Sequence, residues 1–188
     1  NRVITARPFQ RSNRLFLMND ADNVCRAELL LDQARTWYAD LSASGDGRYL
    51  AFTDGMRPMI MSLTASTSKR LFDNDNLILL TMQWAPHKPL LAGLLLNNET
   101  MERSFFLYDA DAAATLKIGE SEIADEADFI NPHICWSPDS NRLMLTSARS
   151  VHLLDPKSSK VVMHAVRVPN EVAEIIWSDD SDSFALVE

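Results

Sequence analysis

The side chains that most often carry enzymatic chemistry are few in this sequence and far apart. The four histidines are His87, His133, His152 and His164, and each stands in a different sequence context. His133 and Cys135 would point to the same side of a strand, a spacing that permits metal ligation, but one His-x-Cys pair alone is a weak metal signal. With five glycines, the chain has neither a phosphate-binding loop nor a Gly-x-Ser-x-Gly nucleophile motif. We therefore expect no catalytic residue, no metal and no cofactor.

An acidic segment at 119–128 is the most distinctive candidate for binding. It has five carboxylates in ten residues and no basic residue, and the carboxylates are Glu120, Glu122, Asp125, Glu126 and Asp128. The segment connects two of the repeated units described below, and such loops frequently carry binding sites. It predicts a site for a basic protein partner. The alternatives are a solvated loop or a short helical turn, and the spacing matches no calcium-binding loop.

Three aspartates occur at the same offset in three similar segments, and they are Asp46, Asp139 and Asp180. As a set they could line one rim and attract a basic partner. The sequence favours a local role, because an Asp in a tight turn accepts hydrogen bonds from nearby backbone amides.

Composition argues against several classes of partner. The net charge of −8 is unfavourable for binding to nucleic acid or to an anionic membrane surface. The longest apolar run, at 89–96, is far shorter than the roughly 18–20 residues that span a bilayer. Cys25 and Cys135 are far apart in unrelated contexts, which predicts buried thiols rather than a disulfide framework.

Self-similarity along the chain is the main signal. Four segments share an apolar approach, a tight polar turn and a second apolar run, and they are Leu41–Phe52, Met82–Gly93, Ile134–Leu145 and Ile175–Leu186. Their alignment places Ala43, Trp84, Trp136 and Trp177 in one column, at intervals of 41, 52 and 41 residues. The acidic segment accounts for the longer middle interval. This period is typical of a four-stranded propeller blade.

Two further strands follow the paired runs in the first three of these units. The third strands are predicted at Pro58–Leu63, Ser104–Tyr108 and Ser150–Leu154, and the fourth at Lys69–Phe72, Thr115–Ile118 and Lys160–Met163. Polar turns separate the strands, which is the sequence order of an antiparallel meander.

The run Ile134–Leu143, with its Trp-Ser-Pro-Asp core, resembles the signature of the WD40-like repeat of TolB-type β-propellers. Asn13–Asp22 resembles a strand and turn of the same repeat. The turns after Trp84 and Trp177 depart from the signature, since one lacks the Asp and the other lacks the Pro. The resemblance implies an all-β fold, a β-propeller of four-stranded antiparallel blades. It does not specify a function, because this blade serves many different proteins.

The phase of the repeat predicts where blades begin and end. Asn1–Thr5 matches Asn141–Leu145, so the first strand present would be the second strand of a blade. The predicted division is a partial blade at 1–32, blades at about 36–73, 77–119 and 129–165, and a partial blade at 171–188, with seventeen strands in all. This phase favours an arc of a larger ring of roughly six to eight blades over a closed ring of four.

Two classes of function are compatible with these features. The first is a non-catalytic scaffold for protein–protein interaction, whose expected partners are another protein and further blades from the same or another chain. The second follows from the resemblance, because WD40-like propellers also form the lid of prolyl-oligopeptidase-type serine peptidases and occur as TolB-like proteins of the cell envelope. The envelope hypothesis implies the periplasm and the others the cytoplasm.

Overall fold

The computed structural model describes residues 2–9, 12–21, 24–33, 38–117, 133–146, 150–157, 160–167, 172 and 174–187. Side-chain environments are described for 41–115, 133–146, 151–157, 172 and 174–187.

All regular structure in the described residues is β-strand. The strands are β1 Arg2–Phe9, β2 Ser12–Ala21, β3 Val24–Gln33, β4 Tyr38–Ala43, β5 Tyr49–Asp54, β6 Arg57–Ser62, β7 Thr67–Arg70, β8 Leu77–Trp84, β9 Leu90–Asn97, β10 Arg103–Asp109, β11 Ala114–Lys117, β12 His133–Trp136, β13 Leu143–Thr146, β14 Ser150–Asp155, β15 Lys160–Arg167, β16 Glu174–Trp177 and β17 Phe184–Val187. They form five antiparallel sheets of successive strands: β1–β3, β4–β7, β8–β11, β12–β15 and β16–β17.

Burial within a four-stranded sheet depends on the position of the strand. The second strands, such as β9 and β13, are apolar runs buried on both faces. The fourth strand β7, Thr-Ser-Lys-Arg, is exposed along its whole length. Only an inner strand therefore needs an uninterrupted apolar sequence.

The chain divides into two compact units. Unit 1 consists of Asn1–Ala43 and Gly47–Asp75, with the sheets β1–β3 and β4–β7. Its described core is a cluster of side chains on β5, β6 and the residues beside them, and the members are Leu41, Leu50, Phe52, Met59, Met61 and Leu63.

Unit 2 consists of Ser44–Asp46 and Asn76–Glu188 and contains the other three sheets. One cluster lies between β8–β11 and β12–β15, and its members are Ala85, Leu90, Ala92, Leu94, Phe105, Leu107, Ile134, Trp136, Leu143, Leu145 and Leu154. A second cluster joins β12–β15 to β16–β17, and its members are Cys135, Met144, Val151, Leu153, Val172, Ile175, Trp177, Phe184 and Leu186. Successive sheets of unit 2 therefore pack face to face, and the aligned tryptophans Trp136 and Trp177 lie within the two clusters.

Within β8–β11, a glycine makes room for an aromatic ring. Gly93 on β9 is the cross-strand partner of Phe106 on β10. A Cβ at this position would overlap the Phe106 ring, which is buried. The absence of a side chain at Gly93 thus leaves the space that the Phe106 ring occupies.

The expectation of an all-β chain built on four-stranded antiparallel sheets is confirmed. The number of blades and the closure of a ring stay predictions. In the part of the chain that the structure describes, no helix has the length and apolarity to cross a membrane.

Candidate functional site

Among the residues whose side-chain environments the structure describes, the corner between the first and second strands of a sheet holds a repeated network of polar contacts. Each corner begins at the residue after Ala43, Trp84, Trp136 or Trp177, the four residues aligned above. The corners lie at 44–48 before β5, 85–89 before β9, 137–142 before β13 and 178–183 before β17.

A serine and an aspartate close each of three corners. The Ser137 hydroxyl donates to Asp139 Oδ1 at 2.6 Å and accepts the Arg142 amide at 2.9 Å. Asp139 Oδ1 also accepts the Asn141 amide at 2.9 Å. In the last corner, Ser178 donates to Asp180 Oδ1 at 2.6 Å in the same way.

The other members of the set repeat this geometry. Ser178 Oγ accepts the Ser183 amide at 3.0 Å, and Asp180 accepts the Asp182 amide at 3.0 Å. Ser44 donates to Asp46 at 2.7 Å. The local role predicted for Asp139 and Asp180 is confirmed, because both accept hydrogen bonds from backbone amides within their own turns.

These hydrogen bonds favour the ionised carboxylates. The Ser137 hydroxyl, followed by the side chain and amide of Asn141, holds the pKa of Asp139 well below its ordinary value. The Ser178 hydroxyl, followed by the Asp182 amide, lowers the pKa of Asp180. A carboxylate whose pKa is depressed is a poor proton donor at neutral pH, so these groups are suited to holding a turn rather than to acid catalysis.

Each of these three corners contains one residue in the left-handed region. Gly47 has φ 70°, Ser140 has φ 60° and Ser181 has φ 64°. Glycine adopts this conformation without strain, whereas serine does not. The serines at this position are buried and have a second role.

Ser140 and Ser181 join each corner to the one before it in unit 2. The His87 amide donates to Ser140 Oγ at 2.9 Å, and the Asp139 amide donates to Ser181 Oγ at 3.0 Å. The two backbone carbonyls are also capped by the preceding corner, because Lys88 Nζ donates to Ser140 O and Arg142 Nη1 donates to Ser181 O, each at 2.9 Å. The same pair of contacts therefore recurs at both junctions.

The tryptophan column makes a second repeated contact. Trp136 Nε1 donates to the Gln83 carbonyl at 3.0 Å, and Trp177 Nε1 approaches the Cys135 carbonyl at 3.5 Å. In each case the acceptor directly precedes the tryptophan of the previous sheet. The Trp177 ring also meets Phe184 edge to face, with centroids 5.6 Å apart. Each indole thus fills the space between two sheets and satisfies its N–H there.

The candidate metal ligands are not assembled into a site. His133 and Cys135 lie on β12; His133 is exposed and Cys135 is half-buried. Burial raises the pKa of the Cys135 thiol, with a smaller opposing effect from the Trp177 indole, so the thiol stays protonated at neutral pH. Within the described residues there is no group of three or more His, Cys, Asp or Glu that could hold a metal.

The predicted partner-binding carboxylates lie outside the described residues, in the stretch 118–132, and they are Glu120, Glu122, Asp125, Glu126 and Asp128. Their role stays a prediction. Sequence reasoning missed Ser140 and Ser181, although one signal was available: both stand four residues after the tryptophan of their unit.

Comparison with known proteins gives structural relatives only. No protein-family model matches the chain, and no curated protein matches it. A protein of unknown function from Desulfotomaculum acetoxidans superposes with a TM-score of 0.62 and 15% identity, over 99% of this chain and 59% of that one. TolB from Acinetobacter baumannii superposes with a TM-score of 0.61 and 15% identity, over 100% of this chain and 47% of that one. Dipeptidyl peptidase 4 from Porphyromonas gingivalis superposes with a TM-score of 0.68 and 13% identity, over 98% of this chain and 34% of that one.

These likenesses support a β-propeller-like fold. The chain spans about half the length of the first two relatives, and at 13–15% identity the similarity concerns the fold alone.

Proposed function

We propose that this chain is a non-catalytic β-propeller module that acts as a scaffold for protein–protein interaction. The observation that carries the proposal is the repeated junction of unit 2. The Ser140 and Ser181 hydroxyls and the indoles of Trp136 and Trp177 connect one sheet to the next at fixed points. Such connections make a rigid frame from which exposed turns and loops project, and loops on rigid frames are where proteins usually carry binding residues.

The chemistry of the described corners supports binding over catalysis. Asp139 and Asp180 stand at equivalent positions of the repeat. Each accepts a hydrogen bond from a backbone amide of its own turn. The lowered pKa of each carboxyl is caused chiefly by the hydrogen bonds that it accepts within its own turn, first from the Ser137 or Ser178 hydroxyl. A catalytic acid or base needs a pKa near the working pH, whereas the pKa values of these two carboxyl groups are lowered away from neutral pH.

The proposed partner is a basic protein, and the proposed contact is the acidic segment at 119–128. The net charge of −8 supports this choice, because an acidic surface attracts basic partners over long distances. The attraction is screened by salt, so binding should weaken as the ionic strength rises.

The test compares three forms of the chain as bait for proteins from its source cells, at low and at high salt. The first is unmodified. The second has neutral amides at the five carboxylates of the segment, namely E120Q, E122Q, D125N, E126Q and D128N. The third has D73N and D179N, which neutralise exposed carboxylates elsewhere. We expect at least one protein to be captured by the unmodified chain and by the D73N and D179N control, and to be captured in at least tenfold smaller amount by the segment variant. If all three forms capture the same proteins in the same amounts, the acidic segment is not the contact.

A second candidate function is the lid of a serine peptidase. The observation that favours it is the superposition on dipeptidyl peptidase 4, which has the highest of the three TM-scores above. The lid hypothesis requires a catalytic domain in the native protein. A fluorophosphonate probe should then label the native polypeptide that carries this sequence, and heat-denatured protein is the control. The scaffold hypothesis predicts no labelling.

A TolB-like role in the cell envelope is a third candidate, favoured by the superposition on TolB. Fractionation of the source cells tests it. Recovery with periplasmic marker proteins supports an envelope role, and recovery with cytoplasmic markers opposes it.

A further inference from the structure

One buried side chain of unit 2 belongs to the residue type that gains a proton close to neutral pH. His152 lies on β14 and is 3% exposed. The residue has another interaction in the structure, and its Nδ1 is a buried atom that takes part in no hydrogen bond. A buried imidazole is costly to place in a sheet interior, so its surroundings decide what it can do.

The register of the strands places His152 on the face that packs against β8–β11. Its cross-strand partner is Leu145, and the next pair on the same face is Leu143 and Leu154. All three leucines belong to the cluster between β8–β11 and β12–β15. Because cross-strand partners share a face of the sheet, the imidazole is directed into this apolar cluster.

Two other sheets have an apolar residue at the equivalent position of the repeat. This position is the cross-strand partner of the residue that stands two places after Leu50, Leu91 or Leu143, which pair with Ala43, Trp84 and Trp136. The residues at the position are Met59, Phe106 and His152. Phe106 is buried, and Met59 packs against the core of unit 1. In β12–β15, a titratable ring therefore stands where the other two sheets have a side chain that cannot be charged.

Ionisable groups are few on the surfaces that face His152. On β10, Arg103 and Asp109 are half-buried and alternate with Phe105 and Leu107 of the facing cluster. Asp109 Oδ1 already accepts two amides of its own turn. Arg103 is a positive charge, so it opposes a second one nearby.

The remaining strands around His152 contribute one further ionisable residue to this face. On β15, His164 and Ala165 lie opposite His152, at the bulge between the pairs Val151–Val166 and Leu153–Met163. The strands β8, β9 and β13 contain no ionisable residue. The ionisable residues of β11, β12 and β14 occupy register positions of the opposite faces, and they are Lys117, His133, Cys135 and Asp155.

We propose that His152 makes the packing of β12–β15 against β8–β11 sensitive to acid. At neutral pH the uncharged ring is accommodated in the apolar cluster. A protonated ring carries a hydrogen on both nitrogens and a full positive charge, and burial of that charge among leucines is strongly unfavourable. Protonation therefore favours separation of the two sheets. The proposal does not depend on the scaffold function.

Proton linkage gives the size and the sign of the effect. A histidine in an unfolded chain has a pKa of about 6.5. Because the folded chain does not accommodate the charged ring, the unfolded chain binds more protons, and stability falls as the pH drops through that value. Between about pH 7.5 and about pH 5.5, one such residue should raise the equilibrium constant for unfolding about tenfold.

The test is urea unfolding at these two pH values, followed by tryptophan fluorescence. H152M introduces the residue that β6 has at Met59, and H152Q is a second uncharged variant in case H152M does not fold. H133Q is the matched control, because it removes an exposed imidazole of the same sheet. H164Q reports separately on the histidine opposite the bulge.

The unfolding constant should rise with acid about tenfold less in H152M and H152Q than in the unmodified chain. H133Q and H164Q should retain the rise. The proposal is overturned if both variants at His152 retain the full rise, or if H133Q or H164Q loses as much of it as they do.

Hydrogen exchange locates the opening in the folded chain. At about pH 5.5 and without urea, the amides of β13 and β14 should exchange at least about threefold faster in the unmodified chain than in H152M or H152Q. Exchange in β5 and β6 of unit 1 should be the same in these chains. Equal exchange of β13 and β14 in all of them would also overturn the proposal. The contact proposed at 119–128 is tested independently by the capture experiment.

Discussion

Ser140 offers the sharpest test of how the corners hold unit 2 together. Its hydroxyl accepts the His87 amide of the preceding corner at 2.9 Å, and its backbone has φ 60°. The two features have opposite effects on stability. The hydrogen bond stabilises the junction, whereas the left-handed conformation strains a residue that has a Cβ.

Two substitutions separate the two effects. Ser140→Ala keeps the strain and removes the acceptor, which leaves the His87 amide without its partner and should cost about 1–3 kcal/mol. Ser140→Gly also removes the acceptor but relieves the strain by about 1 kcal/mol. The glycine variant should therefore be about 1 kcal/mol more stable than the alanine variant.

The assay is urea unfolding at neutral pH, followed by tryptophan fluorescence. Ser66 provides a matched control, because it has φ 52° in the exposed turn between β6 and β7. Ser66→Ala should be nearly neutral, and Ser66→Gly should be slightly stabilising. If the free energy of unfolding of Ser140→Ala lies within about 0.5 kcal/mol of that of the unmodified chain, the contact between corners contributes little to stability, and the reasoning on the junction is wrong.

Four further predictions follow from single residues. Gly93→Ala should destabilise the chain by about 1–3 kcal/mol in urea unfolding, because the new Cβ overlaps the Phe106 ring, and a double variant that also has Phe106→Leu should recover part of the loss; equal losses in both backgrounds would contradict this. Trp136→Phe keeps an apolar ring but removes the indole N–H and should cost about 1–2 kcal/mol, and an unchanged unfolding midpoint would contradict the assigned hydrogen bond. Because the pKa of Asp139 is lowered on folding, its carboxylate stabilises the fold above its ordinary pKa of 3.8, and this contribution is lost as the pH falls further; Asp139→Asn should therefore flatten acid unfolding in that range, and an unchanged acid profile would contradict it. Because burial raises the pKa of Cys135, its thiol should react with iodoacetamide at pH 8 at least tenfold more slowly in the folded chain than in urea, and equal rates would contradict its burial.

The corner shows which part of the site sequence reasoning could predict. The bonds from Ser137 and Asn141 to Asp139 join residues two apart, so a tight turn of this composition specifies them by itself. The local role of the aspartate could therefore be predicted without knowledge of the neighbouring sheets.

The junction partners could not be predicted in the same way. The Trp136 indole and its acceptor on Gln83 are 53 residues apart in sequence, and the Asp139 amide and Ser181 Oγ are 42 apart. A serine four residues after a tryptophan has no distinctive meaning until the preceding corner is placed beside it. The proposed contact at 119–128 rests on composition alone.

The sequence by itself determined the kind of element and its local chemistry. Alternating apolar runs and polar turns at a 41-residue spacing specify antiparallel strands joined by hairpins, because pairing between neighbours in the chain needs no distant information. The tertiary structure alone decided which surfaces of those sheets are covered. Met144 and Ala185 have equivalent places in the repeat, yet Met144 is buried and Ala185 is exposed. The physical reason is that burial depends on the presence of a neighbouring sheet, which the residue types of one repeat cannot encode.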